Sequence, residues 1–347
     1  MDKITIIGTG LIGGSIGYAL KENASDRIYV SGYDQDLESG RKAQKLKAVD
    51  KAHWKLDDAL KDAKMVILAV PVLAIRDMMK TISGMLSPGC IVTDTGSTKV
   101  EIMKWAEDYL PEEVSFVGGH PMAGKEISGV VAAEAALFKN ARYAVIPGKG
   151  ATEGAVNSVI GLVDILGAKP YFVDAEEHDS YVAAVSHLPI IMSTALVSAT
   201  SGSPSWKEMS KLAATGFRDV SRLASGDPVM NLDISVTNRE SLLYWIDRVI
   251  AELQGFREMV GDTDDEPGLE KLGDTFAKAW ESREKWLRRF ESGNDDEDED
   301  LSRPELPSFG AQMMDMLVGS RLRERYQDVL SSQQERAEER KGRQRRR

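Results

Sequence analysis

The chain is poor in cysteine and histidine, the residues that build disulfide frameworks and many metal sites. Its one cysteine among 347 residues, Cys90, has no partner for an internal disulfide. Cys90 begins the strand-like run Cys90-Ile91-Val92, a setting typical of a small buried hydrophobic residue. The four histidines show no spacing with other ligand residues that is typical of a metal site. We therefore predict neither disulfides nor a bound metal.

Long apolar runs and an excess of positive charge are also missing. No stretch of about 18 or more uncharged apolar residues is present, which argues against a membrane span. The apolar run Ile4–Ile7 has no basic segment before it and ends at Gly8, too early for the core of a signal peptide. The formal net charge of −11 argues against nucleic acid as a partner, although a few converging cations can still bind an acidic small molecule. We expect a cytoplasmic protein.

The composition and length indicate a globular protein with more than one domain. Hydrophobic residues make up 42% of the chain and charged residues 29%, values typical of globular proteins. A chain of 347 residues has room for two domains with sizeable cores, and no internal repeat is present.

The first half of the chain alternates short apolar runs with helix-like segments. This alternation predicts βαβ units, and therefore a mostly parallel, doubly wound sheet of the Rossmann type with helices on both faces. Helix-like segments include Leu37–Ala48 and Leu73–Met85. The predicted strands are Lys3–Ile7, Arg27–Gly32, Met65–Val70, Cys90–Thr93, Ser115–Val117, Arg142–Ile146 and, at the sheet edge, Lys169–Val173.

After about Asp174 the pattern predicts helices only. Glu176–Ala199 is predicted to be one long helix that Pro189 kinks, because proline removes a hydrogen bond inside a helix. Leu242–Val260 carries an apolar stripe typical of a core or a subunit interface. We predict a domain with the Rossmann-type sheet over residues 1–174, an all-α domain over 175–260, whose apolar stripe suits a subunit interface, and a charged tail over 261–347.

The tail is predicted to be partly helical and otherwise solvated. It contains the acidic run Asp295–Asp300 and the basic run Arg340–Arg347, which are typical of solvated tails. Leu269–Phe290 and Met313–Leu330 have the amphipathic pattern of helices that pack loosely on the body.

A glycine-rich loop follows the first predicted strand directly. It reads Gly8-Thr9-Gly10-Leu11-Ile12-Gly13 and leads into a predicted helix. Glycine allows a tight turn, close approach of a pyrophosphate to the backbone, and close packing of helix and strand. The helix N-terminus then faces the phosphate charge. This context predicts that a dinucleotide binds at Gly8, Gly10, Leu11, Ile12 and Gly13.

An acidic residue, Asp34, ends the second predicted strand. At this offset from the glycines, a carboxylate accepts hydrogen bonds from the adenosine ribose and repels a 2′-phosphate. Gln35 follows Asp34 where an arginine would favour NADP, so NAD is predicted as the cofactor. Val70 and Pro71, where the strand that begins at Met65 ends, complete the predicted cofactor site.

Two polar loops follow the next strands. One is Asp94–Lys99 and the other is Gly118–Gly124, which contains His120. Because ligands of open parallel sheets lie beyond the carboxyl ends of the strands, both loops should face the cofactor. A neutral imidazole at His120 could accept a proton from a substrate hydroxyl as hydride leaves.

Together these motifs resemble the prephenate and arogenate dehydrogenase family. The resemblance extends from about residue 3 to about residue 260, in motif order and in spacing. Its most specific parts are His120-Pro121-Met122-Ala123-Gly124 and Gly216-Phe217-Arg218-Asp219 followed by Arg222. The other parts are Gly8–Ser15, Asp94–Lys99, Gly119–Gly129 and Ser186-His187-Leu188-Pro189.

The resemblance implies an NAD-dependent enzyme of tyrosine biosynthesis. It would oxidise and decarboxylate prephenate to 4-hydroxyphenylpyruvate, with arogenate as an alternative substrate, in a homodimer whose helices interdigitate. It implies that His120 draws off the proton of the ring hydroxyl and that Ser97 contacts the same hydroxyl. Arg222 would hold the ring carboxylate, and Asp219 would order the site.

The two histidines of the long predicted helix are interpreted differently. His178, in Glu176-Glu177-His178-Asp179, is predicted to serve a capping or surface role. The resemblance places His187 at a domain interface near the active-site cleft, and we group it with the substrate-binding residues.

The chain departs from the family pattern where the substrate side chain would bind. Ile190 replaces the last histidine of a common His-Leu-Pro-His motif, and Asn231 replaces a common tryptophan after Asp-Pro-x-Met. These changes leave open the choice between prephenate and arogenate, and the sensitivity to tyrosine. The tail lacks strand-like runs, so we predict no ACT domain there.

Two other functions are compatible with a glycine loop. A β-hydroxyacid dehydrogenase would place a catalytic lysine on the second-domain helix, but no lysine lies between Ala175 and Pro204. A non-catalytic NAD-binding regulator would not need Ser97, His120 and Arg222 together.

Overall fold

The computed structural model describes residues 1–125, 127–262 and 266–292. The chain divides into two compact units, Met1–Arg248 and Val249–Arg347, and each is described by itself.

The first unit contains an eight-stranded sheet and most of the helices. Its strands are β1 (Asp2–Ile7), β2 (Ile28–Tyr33), β3 (Lys51–His53), β4 (Met65–Leu68), β5 (Ile91–Asp94), β6 (Ser115–Pro121), β7 (Arg142–Pro147) and β8 (Lys169–Phe172). The helices of the sheet region are α1 (Leu11–Ala24), α2 (Leu37–Lys45), α3 (Leu56–Leu60), α4 (Val72–Ile82), α5 (Val100–Tyr109) and α6 (Glu153–Ile165). They are followed by α7 (Ala175–Val182), α8 (Leu188–Ser201), α9 (Trp206–Met209), α10 (Thr215–Ser221), α11 (Pro228–Thr237) and α12 (Arg239–Gly261).

The strand order is β3-β2-β1-β4-β5-β6-β7-β8. β1 pairs in parallel with both β2 and β4, which confirms the predicted doubly wound sheet of the Rossmann type. Two details differ from the sequence expectation. β3 is an additional edge strand, and β7 pairs antiparallel with β6, so β7 and β8 run against the other strands.

Successive residues of the central strands face opposite sides of the sheet, and both sides are buried. Ile6 belongs to the hydrophobic cluster on one face and Ile7 to the cluster on the other, and both are at most 1% exposed. Ile67 and Leu68 of β4 divide between the same two clusters. Burial on both faces explains why these strands are continuous apolar runs rather than alternating ones. Cys90 is also buried, as predicted.

The long predicted helix is interrupted before its proline. A π turn, Ala183–His187, joins α7 to α8, and Pro189 lies in the first turn of α8. Proline lacks an N–H and its ring clashes with the carbonyl four residues earlier, which here belongs to Val185 inside the π turn. The wider turn therefore takes up the irregularity that we predicted as a kink.

By length and composition alone, the helical segment Ala175–Ser201 is apolar enough to cross a membrane. An 18-residue stretch of it has a mean hydropathy of 1.7, and 22% of that stretch is buried. Core helices of globular proteins can have the same length and composition. The segment nevertheless carries the buried polar side chains of His178, Asp179 and His187. Each of the three makes hydrogen bonds within the first unit.

The described part of the second unit is helical. It contains the end of α12 and the helix α13 (Glu266–Ser292). α12 as a whole confirms the helix predicted over Leu242–Val260, and α13 includes the predicted helix Leu269–Phe290. Inside this unit the ring centroids of Phe256 and Phe276 lie 5.6 Å apart. The predicted helix Met313–Leu330 and both charge runs of the tail lie outside the described residues.

Candidate active site

The glycine loop between β1 and α1 is shaped by close backbone contacts. Gly8 has φ +90°, and a Cβ there would lie 2.3 Å from the carbonyl oxygen of Ala69. A Cβ on Gly13 would lie 1.9 Å from the carbonyl oxygen of Gly8. A Cβ on Gly10, in contrast, would meet no atom within 4 Å. The outer two glycines are thus required by packing, whereas Gly10 borders open space that a ligand can approach.

This open space fits the pyrophosphate of a dinucleotide. No side chain caps the N-terminus of α1, so Leu11 and Ile12 present first-turn N–H groups that a phosphate can accept. Asp34 lies beside the loop, because its Oδ2 accepts hydrogen bonds from Thr9 N at 2.7 Å and Thr9 Oγ1 at 3.0 Å. Val70 borders the same loop, with its Cγ1 2.8 Å from the position of a Cβ on Gly8.

A buried ion pair joins the two polar loops beyond β5 and β6. Lys99 and Asp94 are both fully buried and form a salt bridge. Lys99 Nζ also donates to the Gly119 carbonyl at 2.7 Å, and Asp94 Oδ1 accepts from Gly119 N at 3.0 Å. Asp94 Oδ2 accepts from Gly96 N at 2.7 Å. Both peptide groups of Gly119 are therefore held in place directly before His120.

His120 is the first member of a buried chain of hydrogen bonds. Its Nδ1 lies 2.9 Å from Nε2 of His178, and Nδ1 of His178 lies 2.7 Å from Oδ1 of Asp179. Asp179 accepts two further bonds, from Lys99 N at 2.7 Å and from Val100 N at 2.9 Å. Asp179 on α7 thus caps the N-terminus of α5 and ends the relay His120–His178–Asp179.

When both imidazoles are neutral, the relay fixes their tautomers. Because the Asp179 carboxylate only accepts, the proton of His178 must lie on Nδ1. Nε2 of His178 then accepts from Nδ1–H of His120. The remaining nitrogen of His120, Nε2, keeps its lone pair and is free to take a proton. This arrangement of two imidazoles and a carboxylate follows the logic by which catalytic triads orient a general base.

The surroundings of His120 favour the neutral ring. Burial lowers the pKa of His120 well below its ordinary value of 6.5, and the positive charges that His178, Lys99 and His187 can carry lower that pKa further. Burial also lowers the pKa of Lys99, opposed by the adjacent Asp94 carboxylate. His120 is therefore a base at neutral pH.

We expect histidine ring NMR to show His120 neutral and protonated on Nδ1 between about pH 6 and 8, because burial disfavours the imidazolium. A protein with four histidines gives a simple long-range ¹H–¹⁵N spectrum, and a His120→Asn variant assigns the signal. A titration midpoint near 6.5, or a proton on Nε2, would contradict the tautomer assignment.

His187 lies deep in the same region but outside the relay. Its Nδ1 lies 3.2 Å from Nδ2 of Asn238, which also donates to the Asp179 carbonyl at 2.7 Å. Burial lowers the pKa of His187 to about 4, opposed by the nearby Asp179 carboxylate, which raises it. Among the described residues, the buried Nε2 of His187 has no hydrogen-bond partner.

The other predicted site residues lie at different places. Ser97 is half-buried in the loop that Asp94 and Lys99 hold. Asp219 on α10 and Arg222 in the 3₁₀ turn Arg222–Ser225 are exposed in the single chain. Asp219 pairs with the exposed Arg218 at 3.0 Å. The structure therefore brings His120 and the Ser97 loop together in a buried cluster, whereas Arg222 and Asp219 lie on an open surface.

The interpretation of His178 as a capping or surface residue was wrong. His178 is 3% exposed and contacts His120, with a ring-centroid distance of 5.1 Å. Asp179 was not singled out at all. The one signal in the sequence that could have found this pair is the adjacent His178-Asp179 dipeptide on a helix that follows directly on the sheet. Among the described residues, no group of three or more potential ligands is placed to hold a metal ion.

Comparison with known protein families covers both parts of this architecture. Residues 16–172 match the nucleotide-binding domain of prephenate dehydrogenase, and residues 174–277 match its dimerization domain.

Individual relatives span most of the chain. The prephenate dehydrogenase of Bacillus subtilis (strain 168) is 37% identical over 270 residues, which cover 76% of this chain and 72% of that protein. The crystal structure of the Aquifex aeolicus prephenate dehydrogenase in complex with hydroxyphenyl propionate and NAD+ has a TM-score of 0.73 at 30% identity, covering 81% of this chain and 98% of the other. The crystal structure of Synechocystis arogenate dehydrogenase has a TM-score of 0.68 at 30% identity, covering 82% of this chain and 99% of the other.

Proposed function

The chain belongs to the prephenate dehydrogenase family, and from this premise we propose that it catalyses the NAD-dependent oxidative decarboxylation of prephenate to 4-hydroxyphenylpyruvate. The observation that carries the proposal is the buried relay His120–His178–Asp179, which leaves a free base at the end of β6. That base lies at the carboxyl edge of the same sheet as the glycine loop. This edge is where ligands of doubly wound folds bind.

The residues that would hold NAD are those around the glycine loop. They are Gly8, Gly10, Leu11, Ile12, Gly13, Asp34, Val70 and Pro71. NAD, when bound, supplies the acceptor for the hydride. Asp34 would accept from the adenosine ribose, and the N-terminus of α1 would face the pyrophosphate.

His120 would move one proton out and back. Loss of hydride from the carbinol carbon makes a ketone of the ring hydroxyl, whose proton Nε2 of His120 accepts. Loss of carbon dioxide then releases an electron pair that aromatises the ring. The ring oxygen becomes a phenol when His120 returns the proton. The chemistry needs an oriented base, which the relay provides, and Ser97 would hold the same hydroxyl.

Arg222, Asp219 and His187 are proposed to bind the substrate. A guanidinium matches a carboxylate with two parallel hydrogen bonds, which suits Arg222 to the ring carboxylate. Asp219 would order the site, and His187 would border the cleft beside Ser97. Ile190 and Asn231 lie where the substrate side chain would bind, so arogenate is the alternative substrate.

We expect Arg222→Lys to raise KM for the substrate by roughly 10- to 100-fold with little change in kcat, because lysine keeps the charge but loses the paired hydrogen bonds. Steady-state rates measure both constants. The matched control is Arg27→Lys, because Arg27 is exposed and directly precedes β2, at the amino end of that strand. This variant should change neither KM nor kcat. An unchanged KM in the Arg222 variant would remove Arg222 from the substrate site.

The experiment that tests the function is an assay of NADH formation. Prephenate and arogenate are each supplied with NAD and with NADP, and absorbance of the reduced nicotinamide is followed. We expect the highest kcat/KM with prephenate and NAD. Turnover of arogenate alone would change the substrate, and turnover of neither, with NAD binding retained, would favour a regulator.

We propose that the chain is a homodimer. One face of α11 carries Val229, Leu232 and Val236, which are 55%, 60% and 55% exposed in the single chain. Such a face is typical of an interface, and it lies within the region that matches the dimerization domain. Light scattering should therefore report twice the mass of one chain, and a monomeric mass would contradict the proposal.

The same reasoning bears on location and domain limits. A second copy that covers the helical region would also cover the apolar segment Ala175–Ser201, which leaves no need for a membrane. We propose a cytoplasmic enzyme. We also propose the division into residues 1–174, 175–260 and 261–347. The two matched domains, which meet between residues 172 and 174, support the first limit, whereas the dimerization match extends to residue 277.

A further inference from the structure

A small cleft lies beside the carboxylate that ends β2. Its cavity volume is about 30 Å³. It is lined by Asp34, Leu37, Gly40, Arg41, Gln44, Ala52, His53 and Trp54. The cleft therefore contains one carboxylate, from Asp34, and one guanidinium, from Arg41. A ligand that enters the cleft meets both charges.

The carboxylate of Asp34 is fixed in position by its own hydrogen bonds. Besides the two bonds from Thr9 to Oδ2, its Oδ1 accepts from Asp36 N at 3.0 Å. A carboxylate accepts about four hydrogen bonds, so an acceptor position is left for a ribose hydroxyl. A 2′-phosphate in the same place would bring negative charge against negative charge.

The guanidinium of Arg41 is held over an aromatic ring. Its central carbon lies 4.5 Å from the centroid of the Trp54 ring. Its one described ion pair, to Glu38, is 3.7 Å long, and the Arg41 side chain is 57% exposed. An exposed pair of this length contributes little, so the donors of Arg41 can turn to a stronger acceptor.

Further positive charge lies on the adjoining surface. Lys51 and Lys55 line a wider depression that shares Ala52, His53 and Trp54 with the cleft. In doubly wound folds an acidic residue at the end of the second strand selects NAD, and a nearby arginine accommodates the 2′-phosphate of NADP. This chain has both groups in one cleft.

We propose that Arg41 is a latent 2′-phosphate ligand, and that the Asp34 carboxylate alone keeps the site selective for NAD over NADP. The proposal rests on the proposed function only for the use of the dinucleotide site. Under this proposal Arg41, positioned by Trp54, is a second determinant of cofactor choice. The effect of Arg41 appears once Asp34 is neutralised.

The test is calorimetric binding of NAD+ and NADP+ to the full-length protein without substrate. Wild type should bind NADP+ at least about 100-fold more weakly than NAD+. Asp34→Asn should bind NADP+ at least about tenfold more tightly than wild type does. Adding Arg41→Ala to Asp34→Asn should remove that gain in NADP+ affinity, measured relative to the NAD+ affinity of the same variant. A change of this size is expected of charge-assisted hydrogen bonds to a phosphate.

Lys45→Ala, one turn further along α2 and outside the cleft lining, is the matched control. Combined with Asp34→Asn it should leave the NADP+ gain intact. Asp34→Ser, which keeps an acceptor for Thr9, replaces Asp34→Asn if the latter melts well below wild type. The proposal is overturned if the Arg41→Ala double variant retains the gain, if neutralising Asp34 produces none, or if wild type binds both cofactors equally. Failure to turn over prephenate affects only the proposed function, because binding is measured without substrate.

Discussion

Replacing His120 by asparagine is expected to lower kcat/KM for prephenate by about 10²- to 10⁴-fold, the range typical of a lost general base. Asparagine can still donate from Nδ2 to Nε2 of His178, so the relay keeps a partner. It has no atom that can take a proton at the place of Nε2. The loss should therefore fall on kcat, with the dissociation constant for NAD+ unchanged.

Ser115→Ala is the matched control for this variant. Ser115 lies at the start of the same strand, β6, and is also buried, with a hydrogen bond from Thr152 N to its Oγ. A general disturbance of β6 would affect both variants, whereas loss of the base affects only the first. Initial rates of NADH formation and calorimetric NAD+ binding distinguish the two cases. A His120→Asn enzyme within threefold of wild type would exclude His120 as the base.

Much of the sheet follows from local pattern. The strands β1, β4 and β5 are predicted because both their faces are buried, which demands continuous apolar residues. β3 escapes prediction because three residues at an exposed edge, Lys51–His53, need no apolar run. The reversed direction of β7 escapes it for another reason. The described residues between β6 and β7 form only short 3₁₀ turns instead of a crossover helix, and a parallel neighbour requires such a crossover.

The residues of the candidate active site also divide into those that the sequence predicts and those that it does not. The glycine loop and His120 can be predicted, because the loop follows β1 directly, His120 lies at the end of β6, and these strand ends meet at one edge of the sheet. His178 and Asp179 cannot, because 58 residues separate His178 from His120 and only the path of α7 across the sheet brings them together. Asp34 was predicted, but its pairing with Arg41 was not. Their cleft depends on β3, the strand that the pattern did not reveal.

The Asp94–Lys99 pair shows how the predictable and unpredictable parts depend on each other. Its side chains fix the Gly119 peptides from one direction, while the backbone N–H of Lys99 binds Asp179 from the other. The backbone and the side chain of His120 are thus both tied to the loop after β5. A rigid base of this kind loses little orientation when the substrate binds.

Replacing Asp179 by asparagine should lower kcat by about 10²- to 10⁴-fold although Asp179 touches neither substrate nor cofactor. With Nδ2 in the place of Oδ2, the amide faces the N–H of Val100, which disfavours that orientation. With Nδ2 in the place of Oδ1, the amide faces the N–H of Lys99 but donates to Nδ1 of His178, and this bond forces the His178 proton onto Nε2. His120 must then accept at Nδ1 and carry its own proton on Nε2, where it cannot act as a base. The analogous carboxylate-to-amide change in serine protease triads costs about 10⁴-fold through the same tautomer error.

Asp174→Ala separates this positioning role from a loss of stability. Asp174 caps α7, accepting from Glu177 N at 2.7 Å, and is exposed, so its replacement weakens a helix cap without reaching the relay. Losing a cap costs about 1 kcal/mol, which a lower melting temperature reports in both variants. Only Asp179→Asn should also lose kcat, with KM nearly unchanged, and move the His120 proton to Nε2 in the ring NMR spectrum. Because stability alone cannot change a tautomer, a kcat loss without that shift would make Asp179 a structural cap and leave His120 oriented by other means.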